Sequence, residues 1–182
     1  IAMVLQDPFL FTGSILENIR YRTKGASRDD VEQAARVVGA HDFITALPDG
    51  YDTELIQQGR NLSLGQRQLL SFARALVADA KILVLDEATA SIDSYTERQI
   101  QIGLARLLEG RTGIVIAHRL ATVRGADRII VLQEGHIVET GTHDALVAEG
   151  GLYARLYALN YASFDDIPED VMQDAISAQA RT

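Results

Sequence analysis

The chain has 182 residues, 47% hydrophobic and 23% charged, enough to build one buried core and too apolar for a disordered segment. Its formal charge of −8 argues against a general nucleic-acid binder, which shows a basic face. It has no cysteine, which excludes disulfides and thiolate metal sites, and its clearest apolar runs, 82–85 and 113–117, are far too short to cross a membrane.

In chain order, residues 1–5 read as a short buried strand closed by Gln6-Asp7-Pro8. The N-terminal IAMVLQDP has neither a basic region nor a long apolar run, so no secretory signal is visible. A chain that opens on Ile inside a strand reads as a piece of a longer polypeptide. Ser14-x-x-Glu17 is a capping-box pattern and opens a short helix through Arg20. Ser27 opens a second helix, with Val31, Ala34, Ala35 and Val38 on one face and Gly39 as the stop. A third helical piece spans 41–47 and closes at Pro48-Asp49-Gly50. This helical first third holds no later strand long enough to span a sheet.

The pattern then changes. A helix from Ser63 to about Ala78 leads into a nearly continuous apolar strand at 81–85. Asp93-Ser94-x-x-Glu97 opens a helix to about Leu108, and a second apolar strand follows at 112–117. Both strands are of the kind that a parallel sheet buries on both faces. Strands at 128–132 and 136–140 flank Glu134-Gly135, a hairpin signal, and helices at 142–147 and 152–160 follow. Strand–helix–strand alternation predicts an α/β domain with a largely parallel sheet. The expected division is a domain over 1–160, with a helical subdomain at about 12–78 and core strands at about 1–6 and within 80–160. An acidic tail occupies 161–182, in which Pro168-Glu169-Asp170 can start one more weak helix. No internal repeat is visible.

Open α/β sheets bind ligands beyond the carboxyl ends of their strands. The opening strand ends in Gln6, the strand from Lys81 in Asp86-Glu87, and the strand from Thr112 in His118. An amide, two carboxylates and an imidazole are thus expected along one edge. A strand-end carboxylate can hold Mg²⁺ through water, and its neighbour can orient or deprotonate an attacking water. Taken singly, each residue has a plainer explanation: Asp-Glu is a soluble strand end, a lone His after a strand is a common cap, and Gln-Asp-Pro is a good turn. The same holds for Ser63-x-x-Gln66. It is a capping box worth about 1 kcal/mol, and it is also a helix front with free N–H groups and partial positive charge that suits phosphate. Gly65 would let an anion approach the backbone. These local patterns leave both readings open.

The order of the motifs adds a resemblance. LSLGQRQLLSFARAL, then ILVLDEATASID, then IVIAHRLATV resembles the ATP-binding cassette (ABC) family: its signature sequence, its Walker B strand with catalytic glutamate and D-loop, and its switch histidine. VLQDPFLFTGSILENI looks like the Q-loop of the exporter branch, and the likeness covers about residues 1–160. It implies a P-loop-NTPase-like ATPase core with a helical subdomain, truncated at its N-terminus, that uses ATP and Mg²⁺. It implies that Gln6 senses Mg²⁺ and the γ-phosphate and links the site to a transmembrane domain. Asp86 would hold Mg²⁺ through water, Glu87 would activate the hydrolytic water, and His118 would contact the γ-phosphate. Asp93 would belong to a D-loop crossing a dimer interface, and Ser63, Gly65 and Gln66 would serve ATP bound by a second ABC ATPase domain. The implied setting is the cytoplasmic face of a membrane exporter, with no nucleic-acid partner.

Three departures stand out. Leu64 occupies a position where the signature has Gly. Gln57 replaces the acidic residue of a cross-subunit segment. No G-x-x-x-x-G-K-[ST] phosphate loop is present, since the only lysines are Lys24 and Lys81 and neither follows a glycine. That loop, the adenine-stacking aromatic and the membrane helices are expected before Ile1, and a chain without them is expected to be inactive by itself. Two other readings are a non-catalytic piece that supplies only the half-site for a partner's ATP, and a soluble DNA-associated ABC ATPase. The last calls for a long coiled coil, and Ser63 follows Gln6 by only 57 positions, with no heptads in that stretch.

Overall fold

The computed structural model describes residues 1–23, 25–56, 59–87, 94–117 and 120–161. They form two compact units, Ile1–His118 and Arg119–Thr182. In the first, strand β1 (Ala2–Val4) precedes the short β2 (Gly13–Ser14) and helices α1 (Ile15–Arg20), α2 (Arg28–Val38) and α3 (His41–Thr45). A 3₁₀ turn (Gly50–Asp52), β3 (Glu54–Leu55), α4 (Leu64–Val77), β4 (Ile82–Glu87), α5 (Ser94–Leu108) and β5 (Thr112–Ala117) complete it.

Serines set three of these helix starts. Ser14, Ser27 and Ser63 each accept the backbone N–H of the third helical residue, whose side chain returns to the serine's own N–H. α2 stops at Gly39, whose φ of +80° lets its N–H turn back to the carbonyls of Ala35 and Arg36.

β1, β4 and β5 form a parallel sheet in that order, with Val4 opposite Leu85 and Glu87 opposite Ala117. Parallel pairing requires a crossover, and α5 is the one between β4 and β5. One sheet face, through Val4, Leu83 and Leu85, joins Leu69 and Phe72 of α4 and Ile100, Leu104 and Leu107 of α5 in a core that extends to Val31, Ala35 and Val38 of α2. The other face departs from the expectation of strands buried on both sides. Met3, Ile82, Ile114 and Ile116 are 63%, 38%, 57% and 54% exposed. The register places Met3 beside Val84 and Val84 beside Ile114, so the exposed residues line one apolar face that α4 and α5, packed on the other side, do not cover.

The second unit holds α6 (Leu120–Arg124), β6 (Ile129–Gln133), β7 (His136–Gly141), α7 (His143–Glu149) and α8 (Leu152–Tyr161). No pattern in the sequence marks α6. β6 and β7 form the expected hairpin, with Glu134 and Gly135 at φ +50° and +80°, the two left-handed residues of a tight I′ connection. Among the described residues this ladder is a sheet of its own and does not extend the parallel one. Ile129, Val131, Leu146 and Tyr153 are its core. The Glu139 carboxylate caps α8 by accepting from the N–H groups of Leu152 and Tyr153. The helix anticipated near Pro168 lies outside the described residues.

Candidate functional site at the carboxyl edge of the sheet

β1 and β4 are adjacent and parallel, and their register fixes what emerges at their ends. With Val4 opposite Leu85, the chain leaves β1 at Leu5–Gln6 where β4 runs on through Asp86 and Glu87. Gln6 is exposed just beyond its strand, and Asp86 is half-buried inside β4. Strand β4 therefore reaches two residues further than the apolar pattern marked, and the paired carboxylates belong to the strand. β5 ends at Ala117, immediately before His118. His118 and Asp93, like Gln57, lie outside the described residues.

The side-chain oxygens of Gln6 and Asp86 are of the hard donor type that suits Mg²⁺. Among the described residues no three His, Cys, Asp or Glu side chains cluster tightly enough to hold a metal alone. A Mg²⁺ that keeps its waters and shares phosphate oxygens needs only one or two protein ligands. Gln6 and Asp86 fit that kind of site, and a closed protein cage is absent from the described part.

The segment after Gln6 is anchored by a residue that sequence reasoning missed. Arg74, on α4, donates from Nε to the Asn18 carbonyl (2.8 Å), from Nη1 to the Phe9 carbonyl (2.8 Å) and from Nη2 to Asn18 Oδ1 (3.1 Å). Its guanidinium lies over Tyr21 and Phe11, 5.1 and 5.7 Å from the ring centroids. Burial lowers its pKa. Asn18, only 2% exposed, accepts from the Phe11 N–H and donates to the carbonyls of Phe11 and Ser14. The strand exit that carries Gln6 is thereby tied to the helix that carries the signature sequence.

At the front of that helix, Ser63 Oγ accepts from the Gln66 N–H (3.2 Å) and Gln66 Oε1 accepts from the Ser63 N–H (2.9 Å). The capping half of the two open readings is thus realised. It leaves the Ser63 hydroxyl proton and the Gln66 side-chain N–H groups as donors. The first helical amides of Leu64 and Gly65 have no partner within the helix. Gly65 itself is buried, and a Cβ there would overlap Thr96 Cγ2 and reach within 3.5 Å of Ile100 Cδ1 on α5. The missing side chain is thus required by close helix packing, whether or not an anion approaches.

A second missed residue is Gln68, 3% exposed on the buried stripe of α4. With Val4, Phe72, Leu85, Asp86, Ile100 and Leu104 it lines a small cavity, and its Oε1 has no hydrogen-bond partner. A polar residue three positions after Gly65 and four before Phe72 on an apolar stripe is a signal the sequence did offer.

The family description "ABC transporter" matches residues 1–90. The chain is 55% identical over 163 residues to an uncharacterized ABC transporter ATP-binding protein, YknV, of Bacillus subtilis (strain 168), covering 90% of this chain and 27% of that protein. It is 48% identical over 171 residues to an ATP-dependent lipid A-core flippase of Syntrophus aciditrophicus (strain SB), covering 94% and 28%. It is 45% identical over 184 aligned positions to the ABC multidrug transporter atrC of Emericella nidulans, covering 93% and 14%. The chain thus spans between about one seventh and just over a quarter of these relatives. The soluble DNA-associated alternative finds no support among them. With the signature, Q-loop and Walker B sequences set on the parallel sheet and α4 as described, the chain belongs to the ABC transporter family and carries part of its ATPase domain.

Proposed function

We propose that this chain supplies the Q-loop, signature and Walker B portions of the ATP-hydrolysing domain of an ABC exporter, working at a dimer interface on the cytoplasmic face of a membrane. The observation that carries the proposal is the β1–β4 register, which brings Gln6 and the Asp86–Glu87 pair out at one carboxyl edge. Bound Mg²⁺ neutralises charge building on the phosphates. Gln6 and Asp86 would hold that ion, Asp86 through water, and Glu87 would position the attacking water and accept its proton. His118 would contact the γ-phosphate. The free donors at the front of α4, on Ser63, Gly65 and Gln66, face ATP held by a second ABC ATPase domain, with Asp93 at the crossing between the two. Gln6 also couples the site to the transmembrane domain.

The absence of G-x-x-x-x-G-K-[ST] from this sequence favours a second reading of the isolated chain, in which it contributes only the half-site for a partner's nucleotide. Two measurements address these readings. In a polypeptide that joins this sequence to a phosphate-binding loop, Glu87→Gln should lower steady-state ATPase by about 100-fold or more while ATP binding persists. Turnover near the unsubstituted rate would remove Glu87 from catalysis. Tight Mg²⁺-dependent ATP binding by the 182-residue chain alone would remove the half-site reading.

A further inference from the structure

We propose that Arg74 is a positioning residue for Gln6: by holding the segment after β1 against α4 and α1, it fixes where the Gln6 amide stands relative to Asp86. This rests on the reading above of Gln6 and Asp86 as the Mg²⁺ side of an ATPase site. The register of β1 on β4 ends at Val4, opposite Leu85, and Gln6 stands exposed two residues further on. A side chain in that place is fixed only if the chain beyond it is held as firmly as the strand before it. The chain returns to the protein at once, since Pro8 is buried and Leu10 fully so. Gln6 and Asp7 thus bridge two held points, Val4 in the sheet and Pro8. Pro8 fixes its own φ and keeps Asp7 extended, so the bridge is short and stiff. A displacement at Phe9 is therefore carried back to Gln6.

Burial of Leu10 keeps this segment on the core but does not orient it, because the hydrophobic effect has no direction. The orientation comes from Arg74. Its Nη1 donates to the Phe9 carbonyl, one residue past Pro8, while Nε and Nη2 donate to the carbonyl and Oδ1 of Asn18. Asn18 in turn holds both backbone groups of Phe11. The donors of a guanidinium point in fixed directions from one plane, and that plane also lies over the rings of Phe11 and Tyr21. Residues 9–11 are thereby set as one piece on two helices. An arginine in the last turn of α4 would serve the helix dipole equally well from water. Reaching the Phe9 carbonyl, 65 residues earlier, adds nothing to α4 itself. That reach serves the strand exit that carries Gln6.

The test uses Arg74→Met, which keeps a buried stem and removes the donors, in a polypeptide joining this sequence to a phosphate-binding loop. Backbone order parameters are read by NMR relaxation without nucleotide, and ATP binding is then measured by calorimetry with and without Mg²⁺. In the unsubstituted protein the Gln6 amide is expected near the rigid value of about 0.85, and Arg74→Met should lower it below about 0.6 while Leu83, inside β4, stays unchanged. The tightening of ATP by Mg²⁺ should fall severalfold. In a Gln6→Ala background the same substitution should reduce that tightening no further, because Arg74 acts through Gln6. An arginine that serves the fold alone would lower Tm, leave the Gln6 amide rigid and add its effect to that of Gln6→Ala. A Gln6 amide already mobile in the unsubstituted protein, or one that Arg74→Met leaves rigid, overturns the proposal. Should Arg74→Met not fold, Arg74→Lys, which keeps the charge and loses the planar fork, takes the same reading with a smaller fall. Because the order parameter is read without nucleotide, it tests the positioning even where the ATPase reading fails. The failure of that reading would show separately, as unsubstituted protein whose ATP binding ignores Mg²⁺.

Discussion

Arg74 donates from three nitrogens to acceptors 56 and 65 residues away in sequence, Asn18 and the Phe9 carbonyl. Arg74→Met keeps the buried stem but strands those acceptors, and it should destabilise the protein by about 2–3 kcal/mol, read by urea unfolding at neutral pH. Arg74→Lys should recover only part of that, because an ammonium on a flexible stem cannot hold the three planar contacts. A loss within error of zero for Arg74→Met would show that the network is not holding the strand exit. Gly65 makes a different point. From sequence alone, Gly65→Asp would separate a helix cap from an anion site. The contact with Thr96 removes that contrast, since any side chain at Gly65 must displace a short, β-branched neighbour. Gly65→Ala is expected to cost about 1–3 kcal/mol by overpacking, whatever the site binds. The informative change is Ser63→Ala. It should cost about 1 kcal/mol as a lost cap, and a fall in ATPase of more than tenfold, beyond what that stability loss explains, would mark the helix front as part of a nucleotide site. An ATPase rate that merely follows the melt would leave it a cap.

At the level of elements, the helix starts were legible because their chemistry is local. Ser14, Ser27 and Ser63 each find a partner three residues on, a distance a sequence pattern can span. The cap of α2 also makes a pH prediction. The Ser27 N–H and hydroxyl both donate to Asp30 Oδ2 at 2.8 Å, and these bonds lower the Asp30 pKa below its ordinary 3.8. A depressed carboxylate pKa contributes stability above the unfolded value and loses it as pH falls through the folded one. The stability gap between the unsubstituted protein and Asp30→Asn should therefore hold near neutral pH and close below 3.8. A gap that stays constant through acid would detach the cap from the charge of Asp30. Strands were legible as apolar runs, and so was the order in which they end in Gln6 and Asp86. What sheet a strand joins is a long-range matter, so the separate β6–β7 ladder could not be read. Neither could α6, a five-residue helix too short to show a period. Gln68 and Arg74 lay in a visible motif, but the cavity that Gln68 lines and the acceptors that Arg74 reaches are built from elsewhere in the chain.

Across the whole molecule, the open sheet face is the feature with the largest physical consequence. Parallel strands are ordinarily covered on both sides, yet Met3, Ile114 and Ile116 are each more than half exposed on one continuous face, and among the described residues β5 is an edge strand paired only with β4. Together these form an apolar surface beside a row of unpaired backbone groups, the combination most prone to join with another chain. The 182-residue chain in isolation should therefore self-associate at micromolar concentrations, while its net charge of −8 opposes but does not prevent contact through a neutral patch. Screening by added salt should increase the association, since it weakens the charge repulsion and leaves the apolar term intact. The face can be identified by substitution. Ile114→Lys with Ile116→Lys places two charges on the open side, leaving Leu83 and Leu85 packed on α4 and α5. Those changes should shift the sedimentation profile towards monomer with little change in far-UV circular dichroism. Substituting Ile130→Lys on the separate hairpin, where the side chain is also exposed, should have less effect on association. If the unsubstituted chain sediments as a clean monomer and melts cooperatively at high temperature, the exposed face is not a liability. If Ile130→Lys disperses the oligomer and the β5 pair does not, the contact lies on the hairpin instead.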